Sequence, residues 1–139
     1  MGFYDLYYNV FTAVKNCLEN VSAIKQVNLG EALKLQKLPL AVISPREASL
    51  ERGAFQHVLN ARISFDVTVI IRETEPSDWF NEIVSVMCDC FDALMSDDTL
   101  NGTVKSLTPT VFAPGEITAL NRLYYGGLLR FEAFAIYSY

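Results

Sequence analysis

The stretch Ala61-Arg-Ile-Ser-Phe-Asp-Val-Thr-Val-Ile-Ile-Arg72 decides the fold. Ala61, Ile63, Phe65, Val67, Val69 and Ile71 alternate with Arg62, Ser64, Asp66, Thr68, Ile70 and Arg72. Successive side chains of a strand point to opposite faces, so a period of two predicts a long strand with one buried face and one that carries charge. The apolar face needs cover, and the sequence offers amphipathic helices on both sides of this strand.

On the N-terminal side, Phe3, Leu6, Tyr7, Val10, Ala13, Val14, Cys17 and Val21 recur at spacings of three and four, which predicts a first helix over 3–20. On the C-terminal side, Phe80, Ile83, Val84, Met87, Phe91 and Leu94 predict a second helix over 78–95, with Ser77 as its N-cap and Asp78 in its first turn. Leu38-Pro-Leu-Ala-Val-Ile43 reads as a strand that starts at or after Pro39, because proline lacks the N–H of a ladder. Thr103–Ala113, closed by Pro114-Gly115, and Leu123–Tyr139 read as two more strands, and Ile24–Val27 as a short additional one. Arg46–Arg52 carries four charges without alternation and is predicted as an exposed loop. The expectation is an α+β fold in one domain over 1–139: an antiparallel sheet of about four to five strands with two main helices packed on it.

A chain of 139 residues with 51% hydrophobic types hides enough surface to fold without disulfides or metal. Cys17, Cys88 and Cys90 are odd in number and read as free thiols, which suits a reducing compartment. The first residues have no basic n-region, and no apolar run approaches the ~18 residues of a membrane span, so a soluble, unexported chain is expected. The net charge of -5 has the wrong sign for neutralising phosphates. From Glu73 to Val104 there are eight acids and no Lys or Arg, while the remaining residues hold eight acids and eleven bases. Within the second helix Asp78, Glu82, Asp89 and Asp92 keep to one stripe.

Chemistry is sparse. A nucleophilic triad needs a base, and His57 is the only histidine; a partly exposed strand or loop residue is its plainer reading. Neither Gly-x-Ser-x-Gly nor a phosphate-cradling glycine loop is present, and Gly126-Gly127 inside a strand pattern predicts a bulge or close backbone approach. Cys88 and Cys90, two apart on a helix, point in opposed directions and do not share a ligand. The acidic stripe lacks the residue pattern of a calcium loop. No catalytic, cofactor-binding or metal residue is assigned.

The last strand is sticky on both faces: Leu129, Phe131, Ala133, Ala135 and Tyr137 on one, Leu128, Phe134 and Ile136 beside Arg130 and Glu132 on the other. A sheet with one wet side is not built this way, so either a helix or another subunit covers that side, and a second subunit is the preferred reading. Candidate interface residues are Arg62, Arg72, Arg130, Glu132, Phe134 and Ile136. Tyr4, Tyr7 and Tyr8 exceed what one buried stripe requires and point the same way. Arg46, Glu47, Glu51 and Arg52 are candidate docking residues, since charged loops on a rigid sheet are common recognition sites.

These segments in order, with Leu38-Pro-Leu-Ala-Val-Ile43, the charged stretch, Val67-Thr-Val-Ile-Ile-Arg72, a helix, Asp98-Thr-Leu-Asn-Gly-Thr-Val104 and a terminal strand, resemble over nearly the whole chain the tail terminator (tail completion) family of long-tailed bacteriophages, the lambda-like minor tail proteins. The resemblance implies a virion protein assembled in the host cytoplasm. Its subunits form a homohexameric ring that caps the tail tube, ends tube growth and offers the docking face for the head–tail connector. It carries over no catalytic residues. DNA would pass as cargo that must not adhere, and the acidic stripe is a candidate lining of the channel. A head–tail connector or neck subunit is the nearest alternative. A small-ligand or peptide-binding α+β domain, and a hydrolase using His57, are alternatives of other classes.

Overall fold

The computed structural model describes residues 2–30, 37–73, 79–119 and 121–139. Along the chain these form α1 (Phe3–Glu19), β1 (Gln26–Leu29), β2 (Leu40–Arg52), β3 (Val58–Glu73), α2 (Phe80–Ser96), β4 (Ser106–Ala119) and β5 (Arg122–Ser138). The five strands make one sheet in the order β1-β2-β3-β5-β4. Every pairing is antiparallel except β1 with β2, so the α+β expectation holds and the sheet is mixed at its β1 edge.

The alternation over 61–72 sets the layers. Ala61, Ile63, Phe65, Val67 and Val69 are fully buried, and the register lays them beside Ala135, Ala133, Phe131, Leu129 and Gly127 of β5. Both helices pack on this face. The Phe65 and Phe131 rings stack at 5.6 Å; Phe11 of α1 meets Phe65 edge-on at 5.7 Å, and Phe91 of α2 lies 6.2 Å from Phe131. One aromatic column thus joins α1, β3, β5 and α2, in the offset and tilted geometries that ring quadrupoles favour.

Helix α1 buries Val10, Phe11, Val14 and Leu18, and the Asp5 carboxylate accepts the Gly2 N–H at 3.1 Å to satisfy one of its free amides. Helix α2 buries Ile83, Val86, Met87, Cys90 and Leu94. This stripe is rotated from the expected one: Phe80 is exposed and Val84 half-buried. The helix is apolar around most of its circumference, so period alone left several faces to choose from. The expected N-cap Ser77 and first-turn Asp78 lie outside the described residues, and α2 opens at Trp79 without a side-chain cap. After α2 the chain turns through Leu100, Asn101 and Gly102 with φ of 47°, 57° and 81°, while the Asp97 carboxylate accepts the Asn101 N–H at 3.0 Å. Leu100 and Val104 plug the core from this turn.

Two segment assignments change. The charged stretch Arg46–Arg52 is the second half of β2 and not a loop; a bulge between Pro45 and Glu47 absorbs the break in its pattern, and cross-strand pairing with β3 continues to Arg52↔Leu59. Pro114-Gly115 does not close β4, which begins at Ser106 and continues to Ala119. A proline is tolerated there because β4 is an edge strand.

Gly126 and Gly127 confirm both parts of their reading. A bulge lies opposite them between Ile70 and Arg72, and the backbones crowd: a Cβ on Gly126 would collide with the Val69 carbonyl oxygen, and one on Gly127 with the Met87 sulfur and the Ala113 carbonyl. Gly115, paired with Gly126, has open space around it. Gly126→Ala is therefore expected to lower unfolding free energy by about 2–3 kcal/mol, the scale of overpacking a tight core, and Gly115→Ala to leave it nearly unchanged. Urea denaturation of the two variants against the parent checks this; equal midpoints for all three would refute the crowding.

Candidate functional site

Opposite the helices, the even-numbered residues of β5 from Leu128 to Ile136 stand on a sheet face that neither helix covers, while nearer the start of the strand Tyr124 is buried on that side with Leu40, Val42 and Ile70. Arg130, Glu132 and Phe134 are half-buried, and Ile136 is 46% exposed. Cross-strand register brings Asp66 beside Arg130, Ser64 beside Glu132 and Arg62 beside Phe134. The charges are already matched within the chain. The Arg130 guanidinium donates from Nε to Asp66 Oδ1 at 2.8 Å and from Nη2 to Oδ2 at 3.3 Å, while Arg46 Nε approaches the same carboxylate at 3.9 Å. The Asp66 hydrogen bond raises the Arg130 pKa further above its ordinary value. Arg62 Nη1 donates to Glu132 Oε1 at 3.3 Å, and its guanidinium lies 5.1 Å above the Phe134 ring.

Five of the six expected interface residues therefore share one face. Arg72 is the exception. The bulge beyond Ile70 turns it to the helix side, where its Nε donates to Glu82 of α2 at 2.8 Å. Arg62 and Arg72 both have acids within the chain, Glu132 and Glu82. Exposed pairs of this kind are worth at most about 1 kcal/mol and are open to exchange.

The expected docking residues are not gathered on a loop. Glu47 and Glu51 pair across from Ser64 and Asn60 and so share the bare face, whereas Arg52, across from Leu59, is on the helix side. Of the expected channel-facing stripe, Asp78 lies outside the described residues and Glu82 is held by Arg72. Asp89 and Asp92 are exposed and, with Asp97, line an open groove of about 830 Å³ between α1 and α2. The lining includes Asn16, Asn20 and Cys17 and contains no Lys or Arg.

A second groove, of about 540 Å³, lies between α1 and the β1–β2 edge. Phe3, Tyr4, Tyr7, Tyr8 and Phe11 form one wall, Leu29 and Pro45 the other. Tyr4 and Tyr8 stack at 5.8 Å while remaining 75% and 54% exposed. The surplus of aromatics on α1 signalled this surface; the parts supplied by Leu29 and Pro45 gave no signal, since they depend on where the short β1 stops.

His57 sits in the exposed turn before β3 with φ 61°, its ring edge-on to Tyr139 at 5.3 Å. Cys90 is buried and Cys88 half-buried. Cys17 donates its thiol to the Ala93 carbonyl at 3.2 Å, and burial, then Asp97, raises its pKa. Among the described residues no group of His, Cys, Asp and Glu is placed to hold a metal ion, and no helix is long and apolar enough to cross a membrane. No protein-family model and no curated protein matches the chain.

Burial, then the Asp89 charge and the Cys17 thiol, push the Cys90 pKa up to about 12 from the ordinary 9.0. A thiol whose pKa is higher folded than unfolded contributes stability that is complete below pH 9 and drains away as pH rises toward 12. Urea midpoints measured between pH 8 and 11 should accordingly fall more steeply for the parent than for Cys90→Ala. Parallel slopes would show that Cys90 ionises as freely in the fold as outside it.

Proposed function

We propose that this chain is a structural virion subunit of the tail terminator type. Copies form a ring that caps the tail tube, ends its growth and presents the docking face for the head–tail connector. The reading rests on the segment order quoted above. The single observation that carries it is the bare face of β5, where Phe134 and Ile136 stand among charges that neither helix covers. Large apolar side chains on an uncovered sheet face are the usual mark of a protein–protein contact, and rings of identical subunits use heterologous contacts that close by rotation. The function needs shape and assembly and asks no reaction of any residue. Asp89 and Asp92, multiplied around a ring, would keep a DNA duplex from adhering if α2 faces the channel.

Sedimentation of the purified protein, alone and with tail-tube protein, is expected to reveal a species near six times the 15.6 kDa chain mass. Ile136→Asp should remove that species without changing the melting temperature, because Ile136 is largely exposed. A monomer under all these conditions, with a melting temperature that responds to a small ligand, would overturn the reading. Separately, Asp89→Lys with Asp92→Lys should slow DNA passage through assembled tails; unchanged passage would remove these acids from the channel.

A further inference from the structure

β1 pairs with β2 only over Leu40–Ile43, although β2 runs on to Arg52. Among the described residues, the outer edge of Ser44–Arg52 therefore has no strand beside it. An unpaired row of backbone N–H and C=O groups is a template for an added strand. The side chains along this edge alternate. On the helix side, Pro45 lines the tyrosine-walled groove with Leu29, and Ala48 and Leu50 follow on the same side of the strand. On the bare side stand Glu47 and Glu51, exposed and without a hydrogen-bond or ion-pair partner among the described residues.

We propose that this edge binds an extended peptide segment of a partner protein. The segment adds as a strand, with apolar side chains in the tyrosine-walled groove and Lys or Arg side chains opposite Glu47 and Glu51. Main-chain pairing provides the affinity in such strand addition, and the alternate side chains provide the choice of partner. The charge pattern argues against a second copy as the occupant. Past the bulge, antiparallel pairing of two copies over the regular stretch Glu47–Glu51 is centred on Ser49 and sets Glu47 against Glu51 twice, and like charges directly opposite are destabilising. The other sheet edge, β4, has no Lys or Arg anywhere in Ser106–Ala119 to offer them. Pro45 and the bulge after it keep indiscriminate strands away, as protected edges do. This inference does not depend on the ring reading.

The test uses a nine-residue peptide alternating Lys with Val, its Glu-for-Lys counterpart, and a Lys peptide N-methylated at alternate backbone nitrogens, each titrated against the whole chain by fluorescence anisotropy. The Lys peptide should bind at least tenfold more tightly than either of the others. Glu47→Lys with Glu51→Lys should invert the preference toward the Glu peptide, Tyr8→Ala should weaken binding several-fold, and Asp89→Asn with Asp92→Asn should leave it unchanged. Overturning results are no measurable binding, equal binding of the N-methylated peptide, or a loss through the Asp89 and Asp92 changes equal to that from Glu47 and Glu51. So is a concentration-dependent dimer, abolished by Tyr8→Ala, that excludes the peptide.

Discussion

The stack of Phe65 on Phe131 is the contact on which the other layers depend. It lies between the two central strands, and each helix reaches it with one ring, Phe11 from α1 and Phe91 from α2. Because both helices meet the same column, both must lie on the same side of the sheet. Two helices of seventeen residues cannot also cover the reverse side of five strands. The uncovered face of β5 is thus a geometric result of where the aromatics sit, and the proposed assembly role follows from that result.

The edges of the sheet are treated unequally. The β4 edge is interrupted by Pro109, Pro114 and a bulge, all devices that discourage an added strand. Among the described residues, the β1–β2 edge is covered over only four residues, and past Pro45 and its bulge it carries an alternation of apolar and acidic side chains near an aromatic groove. The glycine pair in β5 has a related positional meaning. Gly126 and Gly127 let β3, β4 and α2 close on the strand at one level, and at that level the β3 bulge turns Arg72 toward Glu82.

Period-two alternation in β3 and β5 is legible from sequence because burial on one face imposes it residue by residue; the expected sets are buried except for Tyr137, which is half-buried, and Ile70 on the opposite face is buried as well. The first helix was legible for the same reason at its own period. Where a segment is apolar on most sides, as α2 is, periodicity names the helix without naming its inner face, and Val86 and Cys90 replaced Phe80 and Val84 in the core. The charged half of β2 has the pattern of a loop because a bulge at Pro45 shifts its alternation out of phase, and register across to β3 is information that no single segment contains. The candidate interface was legible as a group, five residues of six, since they share a parity on paired strands. Arg72 left the group because the bulge beside Ile71 reverses that parity. The tyrosine-walled groove depends on three elements meeting, and only its α1 wall could be seen in advance.

On the bare side of the sheet Asp66 serves two arginines and Glu132 a third. Ions that already hold one another bind their hydration water less tightly than lone ions would. A surface built this way gives up that water at a smaller cost than the same charges would if unpaired, so pairing lowers the desolvation penalty that another body meets when it settles there.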